Sequence, residues 1–200
     1  MDKAIEQFRS NIDRTNNLGA IYQAFEAQTT EVLDLSDILR AEFVMVVSAL
    51  DHYIHEIVRL RMLDAFHGKI IQTPAFLRFK VQLGNTIQGI TNPGSDTWLE
   101  EQIIEIHSYQ SFQLPDKIAD AIRLISEIQL WQEVAKILNM TDKEVKQKLI
   151  LIVNRRNQIA HEADMDPSFP GRRWTIDKKM VDDASEFMKN VAETIHSLVQ

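Results

Sequence analysis

The chain has 200 residues, 44% of them hydrophobic, a net charge of −7 and no cysteine. Its length and apolar share suit one compact domain over residues 1–200. The absence of thiols excludes a disulfide framework and cysteine-ligated zinc, and the acidic balance speaks against a protein that coats nucleic acid through a general basic surface.

No apolar run approaches the roughly 20 residues that a bilayer span requires. The start, Met1 to Gln7, lacks the basic flank and apolar core of a signal peptide. The expectation is a cytoplasmic protein with no membrane partner. Few glycines and prolines, against many Ala, Leu, Ile, Glu, Gln and Lys, favour helix throughout.

Residues 3 to about 27 carry an imperfect helical stripe, Ile5, Phe8, Ile12, Leu18, Ile21 and Phe25, weakened at Asn16-Asn17-Leu18-Gly19. One bent helix or two would both fit. Ser36 or Asp34 is placed to cap a long second helix running towards Phe66, with Gly68 as its stop. Its middle, Phe43 to Val47, is apolar on all sides and predicts the central helix of the core. The stretch from Ile70 to Asp96 holds Pro74, Gly84, Gly89, Pro93 and Gly94. A short helix over about 75 to 83 followed by a surface loop is expected there. Asp96 should cap a helix to about Tyr109, and Pro115 should open another that continues to about Leu138. Thr141-Asp142-Lys143-Glu144 reads as a capping box for a helix ending near Glu162, and the last helix starts at about Asp177. The sum is an all-α, antiparallel helical bundle with an inserted segment of loop and short helix.

Cations gather late in the chain: nine lysines and arginines fall between Lys143 and Lys179. Within them lies Arg155-Arg156-Asn157-Gln158-Ile159-Ala160-His161-Glu162. On a helix Asn157 and His161 are four apart and share a face, whereas Arg156 must reach round with its long side chain. RNA cleavage without metal needs a base for the 2′-hydroxyl proton, a cation for the charge growing on phosphate and an acid for the leaving 5′-oxygen. Histidine and arginine supply those functions. The spacing alone is weak, because Arg61 and His67 form a similar pair near a helix end, and a surface arginine beside a helix-terminal histidine would look the same.

The context adds to it. An apolar run, Leu149 to Val153, precedes Arg156-Asn157, Ala160-His161-Glu162 closes the helix, and a polar loop leads to a final amphipathic helix. This arrangement resembles the HEPN superfamily, whose motif is Arg, a polar residue often Asn, three to five further residues and His. Leu35 to Arg40 and Ser48 to Glu56 resemble the first core helix of the RiboL-PSP-HEPN-like subgroup. The resemblance covers about 33 to 66 and 115 to 199, and leaves 70 to 112 as an elaboration. It implies a metal-independent endoribonuclease that needs no cofactor, acts as a homodimer with two motifs facing one cleft, and leaves a 2′,3′-cyclic phosphate. Such proteins act as toxins or in antiphage defence, so RNA and a cognate antitoxin or nucleotidyltransferase are the implied partners. His161 would be the acid/base, Arg156 the phosphate ligand and Asn157 its support. Asp51 is an acidic residue that could contact the motif. Arg155, Arg172 and Arg173 are candidates for further phosphate contacts.

His52, His55 and Glu56 lack a convergent third ligand, so no metal site is expected. Trp98 and Trp131 read as core or interface anchors, and Trp174, after Arg172-Arg173, as part of a rim beside the motif. The alternative function is a non-catalytic HEPN-like module that dimerises or docks a partner.

Overall fold

The computed structural model describes residues 2–28 and 33–200. The described residues form nine helices and the loops that join them: α1 (Asp2–Glu26), α2 (Ser36–Phe66), α3 (Pro74–Leu77), α4 (Leu83–Thr91), α5 (Thr97–Ser108), α6 (Pro115–Arg123), α7 (Leu130–Leu138), α8 (Asp142–His161) and α9 (Lys178–Leu198).

α2 is the axis of the molecule. At about 1.5 Å per residue its 31 residues run roughly 46 Å, and it touches α1, α5, α6, α8 and α9. Leu39, Val47, Leu50, Ile54, Ile57 and Val58 are wholly buried on it, while Met45 looks outward, so even its most apolar stretch keeps one wet side. Asp34 accepts the Ser36 N–H at 2.9 Å, and the helix stops where Gly68 turns to φ +69°. That left-handed turn is open to glycine at little steric cost.

α1 is one continuous helix through Asn16 to Gly19. Its inward face is Ile5, Phe8, Ile12, Thr15 and Gly19, whereas Ile21 and Phe25 are exposed. The expected stripe therefore drifts off the core after Ile12, and small or polar residues take over. The Thr15 hydroxyl donates to the Ile12 carbonyl, which satisfies it without water. Phe8 packs on Tyr53 with ring centroids 5.5 Å apart, and a side chain at Gly19 would collide with Lys178 and Glu42. Arg9 of α1 forms a two-pronged pair with Glu193 of α9 at 2.7 Å. α1 thus runs antiparallel to both α2 and α9, which puts those two parallel to each other.

Two boundaries differ from the sequence expectation. The helix expected over about 75 to 83 ends at Leu77, and the glycine-containing stretch expected as loop is α4. Its residues Leu83, Ile87 and Ile90 repeat at helical spacing, and Gly89 has a packing reason: a Cβ there would sit 2.5 Å from the Trp98 indole. The helix expected from Pro115 to Leu138 is two helices. Ile118, Ile122 and Ile125 follow one stripe, but the next buried residues are Leu130, Trp131 and Val134, so the stripe slips by one residue at Gln129. The chain corrects the slip by leaving the helix, and the Thr73 hydroxyl lies 2.9 and 3.1 Å from the carbonyls of Arg123 and Leu124 that this exposes. Trp131 is a buried anchor whose Nε1–H donates to the Pro115 carbonyl.

The other caps hold with one exception. Thr141 and Glu144 form the capping box of α8, and Asp177 accepts the Met180 N–H at the start of α9. Asp96 precedes α5, but its carboxylate takes the imidazole of His67 at 2.7 Å instead of a helix N–H. One core joins α1, α2 and α5 to α9; Phe76 of α3, and Phe79 and Val81 between α3 and α4, pack against it half-buried, and neither α3 nor α4 has a fully buried residue. No described helix is long and apolar enough to cross a membrane.

Candidate functional site

Val145, Leu149, Ile152 and Val153 bury one face of α8, and this sets the direction of everything beyond Asn154. Arg156 and Asn157 follow on the partly buried flank, with Arg156 Nη1 donating to Asn157 Oδ1 at 2.9 Å. The Arg156 Nε is buried without a partner among the described residues. His161 ends the helix and is exposed. The motif therefore has a partly buried part, Arg156 with Asn157, and an exposed imidazole one turn on.

Arg156 and Asn157 form one wall of a cleft of about 440 Å³. The facing wall is the segment between α5 and α6, with Tyr109, Gln110, Ser111 and Gln113, joined by Lys117 of α6. Asp51 shapes this wall from behind. It accepts the Phe112 N–H at 2.6 Å and the Gln113 side-chain amide at 2.8 Å, and lies 3.7 Å from His55. Asp51 thus meets the loop opposite the motif, and its link to Arg156 runs through that loop. The Phe112 ring is buried between His55 and His107, at centroid distances of 4.4 and 5.2 Å.

His107 is buried beneath the same loop, and its Nδ1 has no hydrogen-bond partner among the described residues. Burial, with a smaller contribution from His55, pushes its pKa down to about 4. The unfolded chain, with an ordinary value near 6.5, takes up this proton first as pH falls. Stability is therefore fully present above about pH 6.5 and declines towards pH 4, by a few kcal/mol in all. Melting curves across that range should show the decline in the wild type, and His107→Phe should flatten it; parallel profiles would show that another group titrates.

The other arginines are placed differently. Arg155 makes a two-pronged pair with Asp164 and donates to the Thr175 carbonyl. Arg40 of α2 reaches the same carboxylate at 2.7 Å, and also donates to the Trp174 carbonyl and Ser36 Oγ. Asp164 is buried and has φ +59°, next to Ala163 at +51°. Two successive left-handed non-glycine residues are costly. The double ion pair, with the Asp164 N–H bonded to the Gln158 carbonyl, holds them there. Beyond it the chain folds back as a short hairpin-like loop, with bonds from Asp166 N–H to Arg172 O and from Trp174 N–H to Asp164 O. Arg173 pairs with Asp34 and Asp37 at the start of α2. Of the three arginines expected at substrate, Arg155 and Arg173 are engaged within the protein, and Arg172 is exposed. Trp174 is partly exposed on the rim.

Among the described residues no group of three or more histidines and carboxylates is gathered as a metal site would be. A family model described as RiboL-PSP-HEPN matches residues 9–200. The chain belongs to this family. The matched span includes α1 from residue 9 and the whole of 70 to 112, so the segment that the resemblance left aside lies inside the RiboL-PSP-HEPN match. Membership brings the helical fold seen here and points to a ribonuclease-like or related function. No curated protein and no solved structure matches the chain.

The Arg40–Asp164–Arg155 clamp and the Tyr109 to Leu114 wall are the features that the sequence reading missed. Arg40 and Asp164 are 124 positions apart, and nothing in either neighbourhood signals the other. A weak signal for the wall existed: Tyr109-Gln110-Ser111 is a polar, aromatic stretch directly after a helix end.

Proposed function

We propose that this protein is a metal-independent endoribonuclease, and that the cleft bounded by Arg156 and Asn157 is where the scissile phosphate binds. The observation that carries the reading is the RiboL-PSP-HEPN match together with the pairing of Arg156 and Asn157 at the cleft wall, one turn before His161. Asn157 fixes Nη1, and Nε is buried, which leaves the Nη2 group to grip a phosphate oxygen as charge develops. The 2′-oxygen attacks phosphorus, the bond to the 5′-oxygen breaks, and the products are a 2′,3′-cyclic phosphate and a 5′-hydroxyl. One imidazole takes the 2′ proton and a second delivers a proton to the leaving oxygen. Each chain has one such histidine, so a homodimer with facing motifs supplies both. A toxin or antiphage role, controlled by an antitoxin or nucleotidyltransferase partner, accords with such an activity.

The test is cleavage of labelled single-stranded RNA by purified protein in excess chelator, with end-group analysis. Cyclic phosphate ends are expected. A second reading, a non-catalytic dimerisation or partner-docking module, is favoured by the engagement of Arg155 and Arg173 in internal ion pairs, which leaves the cleft with few cations. A folded dimer that cuts no RNA, and whose biological effect survives loss of His161, would decide for it.

A further inference from the structure

The cleft wall opposite Arg156 is more elaborate than phosphate binding requires. Tyr109 caps the end of α5 with 88% of its surface in solvent, the most exposed of the large hydrophobic residues among those described. A phenol ring left in water forgoes the burial that packing would give it. Beside it stand side chains that can read an uncharged polar edge, the Gln110 amide and the Ser111 hydroxyl, and then the cation of Lys117. Lys117 has no carboxylate within 4 Å among the described residues. The loop is nonetheless rigid at its back. Asp51 holds the Phe112 N–H and the Gln113 amide, Phe112 is buried, and the Gln110 N–H donates to the His107 carbonyl at 2.9 Å. A segment anchored on one side and bearing an exposed ring, amide, hydroxyl and cation on the other has the chemistry of a nucleotide platform: stacking on the ring, hydrogen bonds to the base edge and a charge for phosphate. The cleft's volume of about 440 Å³ is in the range of small-molecule sites.

We propose that the segment from Tyr109 to Gln113, with Lys117, is the nucleotide-recognition subsite of this protein: Tyr109 stacks on an unpaired RNA base flanking the phosphate held by Arg156, and Lys117 binds the next phosphate along the strand. The proposal rests on the ribonuclease reading and adds where the RNA lies and why unpaired bases are selected. A duplex cannot splay a base onto a single ring, so single-stranded RNA is the substrate class.

The experiment uses the full chain carrying His161→Ala, so that bound RNA survives, and a short fluorescent single-stranded RNA of random sequence titrated by anisotropy over a range of salt. Tyr109→Ala in this background is expected to weaken binding roughly tenfold, the scale of base–aromatic stacking, and Tyr109→Phe to restore it. Lys117→Ala should lower the slope of log affinity against log salt by about 0.7, one phosphate contact on a single strand. Both side chains are replaceable without touching the core, and melting curves verify that. RNA bound with unchanged affinity and slope by the Tyr109→Ala and Lys117→Ala proteins would overturn the subsite and leave the ribonuclease reading standing. Equal losses with Tyr109→Phe and Tyr109→Ala would overturn the stacking role. Failure of the parent protein to bind any RNA, together with no cleavage by the wild type, would overturn both.

Discussion

Replacing His161 with alanine is expected to lower the rate of RNA cleavage by about 10²- to 10⁴-fold, the range for removal of a general acid or base, while the melting temperature stays as in the wild type. The imidazole is exposed in the last turn of α8, so nothing in the core depends on it. Single-turnover cleavage and thermal melts on the same preparations check both halves. Arg156→Lys should be nearly as damaging. It keeps the charge but loses the planar fork, and with it the bond to Asn157 that aims the group. Asn157→Ala, which leaves the guanidinium in place but unsupported, should cost less than either. If all three variants cleave as fast as the wild type, the chemistry is elsewhere. If a mixed dimer of His161→Ala and Arg156→Lys chains recovers part of the activity, the two motifs share one cleft.

Replacing Asp164 with alanine is expected to lower stability by about 3–5 kcal/mol, the usual penalty for stripping one partner from a buried ion pair. For a domain of this size that is a fall in melting temperature on the order of 10 °C. The loss should be uneven between the two arginines. The Arg155 side chain is 19% exposed and can turn towards solvent, whereas Arg40, at 8%, is left charged beneath the loop. Arg40→Met in the Asp164→Ala background should therefore recover much of the stability, and Arg155→Met should recover little. Thermal or urea unfolding of the four proteins measures this. Equal recovery from either methionine would show that the carboxylate serves both partners alike. Activity should fall with Asp164→Ala beyond what unfolding explains, because the clamp joins the end of α8 to α2 and sets where His161 stands.

The helices that could be read in advance were those whose stripe and caps agree. α8 has its capping box and a clean run of Val145, Leu149, Ile152 and Val153, and α9 has Asp177 and an unbroken apolar face, so both appear where periodicity places them. Where cap and stripe conflict, local rules fail. Glycines made 84 to 91 look like loop, but Trp98 lies against Gly89 and the helix forms around that contact. Pro115 gave a correct helix start, yet the slip at Gln129 was hidden inside a segment of high helical propensity.

By itself the sequence determined the all-α class and the motif Arg156-Asn157 with His161 near a helix end, because each depends on residues within a few turns of one another, and the family, whose pattern is legible in two separate stretches, 33 to 66 and 115 to 199. Only the tertiary structure decided which cations meet solvent and what faces the motif. Arg155 and Arg156 are adjacent, but one lies against Asp164 and the other lines the cleft, since successive residues on a helix point about 100° apart and meet different neighbours. Asp51 was placed near the motif by resemblance, and the fold puts its carboxylate under the opposite wall. Arg155 and Asp164 are nine residues apart, but the Arg40 arm of that clamp, the Arg173 pairs and the Asp51 contacts join residues 61 to 139 positions distant, which α2 brings together by packing and which no periodicity in the chain encodes.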